Sequence, residues 1–302
     1  MKTVPPFPPR RILCPVDLSE LSALALKYGA AGARAFAAEL TVLQAIHLEL
    51  PPYFTADQAD RFRRQDQEAR EAAQGHLAAW ARSRLGAAQQ GLSLRFEVVE
   101  TSPAAAILEA IENERHDMVV MGTHGRTAAR RLLLGSVTES VVRHAPIPVF
   151  VVRQKERDFL DPASPGATPR LRRILCPVNR SRAAAAALEL AAQLAARFEA
   201  RLTALRVLDA PPADGGEAAR QELCAWIPQG AASQCAVEPK LRHGHPAGEI
   251  VRFAEETDQD LIVVGAPGDT TGLARILGET AERVLRHAPC PVLVVPFPAE
   301  SD

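Results

Sequence analysis

Three glycines and a pair of hydroxyl residues form the stretch of this chain with the clearest chemical potential. Gly122, Gly125 and Gly135 follow Met121 at the end of an apolar run, and Ser136, Val137 and Thr138 open a segment with helical spacing. Glycine lets a backbone approach an anion with no Cβ in the way, and the unpaired N–H groups of a first helical turn supply donors and a partial positive charge. The chemistry this points to is the cradling of a phosphate. Arg126, Arg130 and Arg131 add positive charge to the loop, a solvated basic face being the alternative for any one of them. His124 has no nucleophile or second acid beside it in the sequence, which argues against a general base. No Walker lysine or water-orienting residue is evident either, so binding of a nucleotide and its turnover are separate claims.

The loop needs a scaffold, and the surrounding periodicity supplies one. Short apolar or alternating runs at residues 11–16, 40–46, 94–99, 118–121 and 149–152 read as strands. Between them lie helical stretches at residues 21–39, capped by Ser19, at 57–86 with Phe62, Leu77 and Trp80 as core contacts, and from Pro103 through Ile107, Leu108 and Ile111. A last helix runs through Val141 and Val142. Strands alternating with helices predict right-handed crossovers and an α/β fold, a parallel sheet with helices on both faces.

The same order of elements then returns. Arg10-Arg11-Ile12-Leu13-Cys14-Pro15-Val16-Asp17 recurs as Arg172-Arg173-Ile174-Leu175-Cys176-Pro177-Val178-Asn179, and the closing Arg143-His144-Ala145-Pro146 recurs as Arg286-His287-Ala288-Pro289. A two-fold repeat far longer than a solenoid unit means duplicated domains. We expect domains at residues 1–154 and 170–302, joined by a Pro-rich surface linker at 155–169. The second copy is shorter mainly after its second strand, in a connection containing Trp226.

Composition narrows the class. With 35 Lys and Arg against 36 Asp and Glu, the net charge of −1 argues against a dedicated nucleic-acid binder. No basic-plus-apolar leader follows Met1, and no apolar run reaches the roughly 18 residues of a membrane span, so a cytoplasmic protein is expected. The five cysteines lack metal-ligand spacing, and Cys14 and Cys176 share one place in the two copies, as buried packing residues would.

These motifs, over nearly the whole chain, resemble a tandem universal stress protein: the opening Ile-Leu-Cys-Pro-Val, the closing His-Ala-Pro-x-Pro-Val and the spacing Gly-x2-Gly-x9-Gly, each present twice. The resemblance implies two Rossmann-like domains, each with a five-stranded parallel sheet, packed as an internal pseudo-dimer through their fifth strands. It also implies an ATP-binding regulatory protein of the stress response, with ADP or AMP as competitors and further self-association open. In the first copy Asp17 would lie near the nucleotide and hold Mg²⁺, Ala45 would meet the adenine, Met121 and Gly122 the sugar or base, and Gly125, Arg126, Gly135, Ser136, Val137 and Thr138 the phosphates. In the second copy the corresponding residues are Asn179, Val207, Gly265, Gly268, Gly278, Glu279 and Thr280, with Asp269 in place of Arg126. A carboxylate at a helix start satisfies the helix dipole itself and repels a polyphosphate. Two like charges about 4 Å apart at an effective dielectric of about 20 repel by about 4 kcal/mol, and about 1.4 kcal/mol is already tenfold in affinity. The second site is therefore expected to be weak or empty. The alternatives are an adenine-nucleotide enzyme of the same superfamily, such as an adenylate-forming ligase or slow ATPase, and an interaction module with vestigial loops.

Overall fold

The structure, a computed structural model, describes residues 7–46, 56–124, 134–153, 169–211, 215–266 and 277–297, with backbone alone for 56–68. In the first copy the elements are β1 (Arg11–Pro15), α1 (Glu20–Phe36), β2 (Glu39–Ala45), α2 (Ala56–Leu85), β3 (Ser93–Val99), α3 (Pro103–Glu114), β4 (Met118–Gly122), α4 (Ser136–His144) and β5 (Val149–Val152). The second copy gives β6 (Arg173–Pro177), α5 (Arg182–Phe198), β7 (Arg201–Leu208), α6 (Glu217–Trp226), α7 (Gln229–Gln234), β8 (Val237–His243), α8 (Pro246–Glu256), β9 (Leu261–Ala266), α9 (Glu279–His287) and β10 (Val292–Pro296).

Local chemistry accounts for four of the helix starts. The Ser19 hydroxyl accepts from the Ser22 N–H at 3.1 Å, Ser181 does the same for Ala184 at 3.1 Å, and Pro103 and Pro246 stand in the first turns of α3 and α8. The end of α1 differs from the sequence expectation. The helix stops at Phe36, because Ala37 turns left-handed at φ 54° and the strand begins at Glu39. The connection around Trp226 holds two helices, α6 and α7, where the first copy has the single long α2. Leu77 is buried and Trp80 packs on the core as expected, while the Phe62 side chain and residues 155–168 of the expected linker lie outside what is described.

Each copy forms the expected parallel sheet, ordered β3-β2-β1-β4-β5 and β8-β7-β6-β9-β10. The two join through β5 and β10, which pair antiparallel with Phe150 opposite Leu293, giving one sheet of ten strands. Pairing removes the exposed apolar edge that either fifth strand would otherwise present. Side chains reinforce the seam: Phe36 meets Phe198 with ring centroids 5.9 Å apart, and Arg197 donates to the Ala35 carbonyl at 2.6 Å, while within the first copy Tyr28 packs on Phe150 of the seam strand at 5.6 Å. Arg153 reaches across to the Leu285 carbonyl.

Two apolar layers sandwich the sheet. Alternate strand residues such as Ile12, Cys14, Val42, Ile174 and Cys176 pack with α1, α2 and α5, while Leu13, Val119, Val151, Leu175 and Ile262 pack with α3, α4, α8 and α9. Burial pushes the Cys14 thiol up to about 12 and that of Cys176 higher still, so both serve as packing residues. One buttress escaped sequence reading. The Asp117 carboxylate accepts the backbone N–H groups of Arg10 and Arg11 at 2.7 and 3.0 Å, and Asp260 repeats this with Arg172 and Arg173 at 2.8 and 2.9 Å, fixing the start of β1 and β6 beside their neighbours. Among the described residues no helix is long and apolar enough to cross a membrane.

Candidate functional site: two clefts at the strand ends

In a sheet ordered β3-β2-β1-β4-β5, the chain leaves β1 for a neighbour on one side and reaches β4 on the other. The crevice opens at the carboxyl ends of the strands, where this order reverses. A cavity of about 460 Å³ lies there, bounded by Asp17, Ala45, Met121, Gly122, Gly135, Ser136, Val137 and Thr138. These eight residues were expected from the sequence as ligand contacts, and the fold brings them to one cleft. Gly125 and Arg126 fall outside the described residues, as do Arg130 and Arg131. The rest of the wall was not anticipated. Val16, Leu43, Pro103, Ile107 and Leu134 give the cleft its apolar side, suited to a planar ring.

The helix α4 opens onto this cleft behind Gly135, an N-cap residue with no side chain to satisfy the first-turn N–H groups. Ser136, exposed at the first helical position, adds a hydroxyl. The geometry assigns other duties to its neighbours. Thr138 is buried and its hydroxyl donates to the Gly122 carbonyl at 2.8 Å, while the Gly135 N–H donates to the Thr123 carbonyl at 2.7 Å. Both bonds tie the start of α4 to the end of β4. Thr138 thus lines the cleft while its proton is committed to the scaffold.

The glycines are small for reasons of packing as well. A Cβ on Gly122 would stand 2.8 Å from the Leu21 side chain on α1, and one on Gly135 would stand 3.1 Å from the His124 Cα and 3.2 Å from the Thr123 carbonyl oxygen. At Gly135 φ is −66°, an ordinary value, so close approach is the reason a side chain is missing there. Asp17 lines the cleft from the end of β1, and its Oδ1 accepts the Ser19 N–H at 3.1 Å. His124 also faces the cleft, with Nδ1 3.0 Å from the Thr123 hydroxyl.

The second copy repeats the crevice with altered chemistry. A cavity of about 360 Å³ is bounded by Asn179, Val207, Gly265, Gly278, Glu279 and Thr280; Gly268 and Asp269 lie outside the described residues. Its apolar wall uses Val178, Leu205, Pro246 and Ile250, the counterparts of Val16, Leu43, Pro103 and Ile107, and that recurrence is the sequence signal that could have revealed the wall. Asn179 makes the same turn as Asp17, accepting the Ser181 N–H at 3.0 Å, so the two residues share a structural duty and differ in charge. Glu279 stands at the start of α9 with 72% of its side chain exposed, and pairs with Arg283 at 2.7 Å. Exposure and this pairing move its repulsion of an anion toward the low end of the range inferred from sequence. Ala281 replaces Thr138, so the hydroxyl tie to the preceding strand is absent. Gly265 is more constrained than Gly122. A Cβ there would fall 2.2 Å from the Ala183 carbonyl oxygen, because Ala183, in place of Leu21, lets the backbone of α5 approach the strand.

Among the described residues no group of three or more His, Cys, Asp or Glu side chains is placed to hold a metal ion. Asp17 is the carboxylate of the first cleft.

The comparisons agree with this duplicated architecture. The sequence profile of the Universal stress protein family matches residues 9–153 and again 170–296. Universal stress protein Rv2005c from Mycobacterium tuberculosis is 30% identical over 221 residues, covering 68% of this chain and 70% of that protein. Universal stress protein MJ0531 from Methanocaldococcus jannaschii is 30% identical over 149 residues, 49% of this chain and 85% of its own length. The crystal structure of a universal stress protein from Archaeoglobus fulgidus superimposes with a TM-score of 0.67 at 24% identity, covering 95% of this chain and 98% of that one, a likeness of fold. Two profile matches, a duplicated sheet and a duplicated crevice place this chain in the universal stress protein family, as a tandem of two Rossmann-like α/β domains.

Proposed function

We propose that the protein is a cytoplasmic regulator of the stress response that binds an adenine nucleotide in its first cleft. ATP is the preferred ligand and ADP or AMP are its competitors. The observation that carries this reading is the junction of an uncapped first turn of α4, headed by the exposed Ser136, with an apolar slot between Ala45, Ile107 and Val137. One end suits phosphate oxygens and the other a purine ring. Occupancy would set a conformation or a partner surface, with little turnover, since the cleft offers hydrogen-bond donors rather than a catalytic pair.

Mg²⁺ fits this cleft as a companion of the ligand. It is commonly bound by one or two carboxylates together with substrate phosphates, and Asp17 supplies one such carboxylate. Bound there, the ion would neutralise phosphate charge. The second cleft, with Glu279 at its helix start and Val207 narrowing the ring slot where the first has Ala45, is the weaker nucleotide site.

The test is to release and identify nucleotide from purified full-length protein and to titrate ATP with Mg²⁺ by calorimetry. Nucleotide in the wild type and its loss in Gly135→Glu are expected. An unchanged nucleotide content in that variant would contradict the site.

A further inference from the structure

A third cavity, of about 330 Å³, lies against the second cleft and shares Val178, Asn179, Ser181 and Ala184 with it. It belongs to the region where the copies diverge most, between α5 and α6. Its apolar lining is Leu188, Leu223, Trp226 and Ile227, and its polar rim includes Asn179 and Arg180. The size and the ratio of apolar wall to polar rim are those of a small-ligand pocket, typically about 300–1,000 Å³.

Among the described residues the charges around the aromatic ring do not balance. Arg206 places its guanidinium 4.3 Å from the Trp226 ring centroid and pairs with Glu222 at 2.6 Å. Arg180 places its own 5.4 Å from the same centroid and pairs with the other oxygen of the same Glu222. Two cations thus share one carboxylate beside an apolar pocket. Arg206 is further held by the Ala219 carbonyl at 3.3 Å, whereas the Arg180 side chain is 73% exposed. Arg180 is therefore the cation able to change partner. The first copy has Leu18 at this position.

We propose that this pocket binds a small aromatic monocarboxylate, its ring against Trp226 and Leu223 and its carboxylate on Arg180. Arg206 keeps Glu222, and the incoming carboxylate takes up the positive charge that the described residues leave unbalanced, in a charge-assisted, two-pronged hydrogen bond. Contact of the ring with Trp226 adds the offset or edge packing that aromatic pairs favour. A polyphosphate is a poor fit, because its charge exceeds the one excess cation among the described residues and Glu279 lines the adjoining cleft. This assignment is independent of the nucleotide reading of the first cleft.

The test is calorimetric titration of the full-length protein with naphthalene-1-acetate and with its uncharged analogue naphthalene-1-acetamide. The acid should bind and the amide should bind about tenfold more weakly or worse, the loss expected for one charge-assisted contact. Arg180→Gln should bring the acid down to the level of the amide while leaving ATP binding intact. Trp226→Leu should abolish both; should that variant fail to fold, Arg180→Gln, at an exposed side chain, still decides. Equal binding of acid and amide, no heat with the acid at millimolar concentration, indifference to Arg180→Gln, or loss of acid binding in Gly135→Glu would each overturn the assignment.

Discussion

The two clefts share a wall and differ at the helix start. Val16, Leu43, Pro103 and Ile107 in one are matched by Val178, Leu205, Pro246 and Ile250 in the other, so the apolar side is the same in both copies at these positions. The side at the helix start is not. Ser136 faces Glu279, Asp17 faces Asn179, and the Thr138 tie has become Ala281. The copies keep the apolar wall and differ in charge at the helix start. The difference teaches that a glycine spacing, present in both copies, records how strand and helix pack more faithfully than it records which ligand is bound.

The largest expected effect separates the strand-end glycines. Gly265→Ala should destabilise the protein by roughly 3 kcal/mol, because its Cβ meets the rigid backbone of Ala183, whereas Gly122→Ala should cost about 1 kcal/mol, since the Leu21 side chain can shift. Chemical denaturation of the two variants checks the order, and equal losses would undo the packing account. Next comes the exchange at the helix starts. Ser136→Glu should weaken ATP binding at the first cleft by about tenfold, and Glu279→Ser should strengthen it at the second by a similar or smaller factor. Titration calorimetry reads both.

A smaller effect concerns the tie to the preceding strand. Thr138→Val should cost about 1 kcal/mol in thermal unfolding through loss of the bond to the Gly122 carbonyl. The smallest lies at the sheet's outer edges, where the copies carry reversed pairs: Arg95 and Glu97 at 2.6 Å on β3, Glu238 and Lys240 at 2.5 Å on β8. Burial first, and then the neighbouring Glu114, raise the Glu97 carboxyl above 4.5. Its folded form therefore keeps a proton that the unfolded chain gives up, so this group's contribution to stability falls as pH rises through the window beginning near 4.5. Glu97→Gln should flatten the melting temperature across that window and leave the neutral-pH value equal or higher. A steeper dependence on pH in the variant would contradict the sign.

Much of this was legible from sequence because it is local. Ser19 and Pro103 mark helix starts by their own chemistry, and the apolar strand runs are buried on both faces. The end of α1 was not legible, because the Ala-rich run continues through Ala37 and Ala38 with no glycine or proline to stop it; the left-handed turn at Ala37 depends on β2 pairing beside β1. The Asp117 and Asp260 clamps and the apolar cleft wall join residues far apart in the chain, which periodicity does not register. In the candidate site the residue positions were readable and the duties were less so. The Thr138 hydroxyl reads as a ligand donor in sequence and proves to be committed to the Gly122 carbonyl once the helix is folded against the strand.

The central claim is that the duplicated crevices are unequal and that the first holds the nucleotide. The most direct measurement is the stoichiometry of ATP binding to the full-length chain, taken beside the same substitution in each copy. A Cβ is crowded at Gly135, and at Gly278 it meets nothing within 4 Å among the described residues. One tight equivalent of ATP, lost in Gly135→Glu and retained in Gly278→Glu, is the predicted result. Two equivalent sites, or retention in Gly135→Glu with loss in Gly278→Glu, would contradict it.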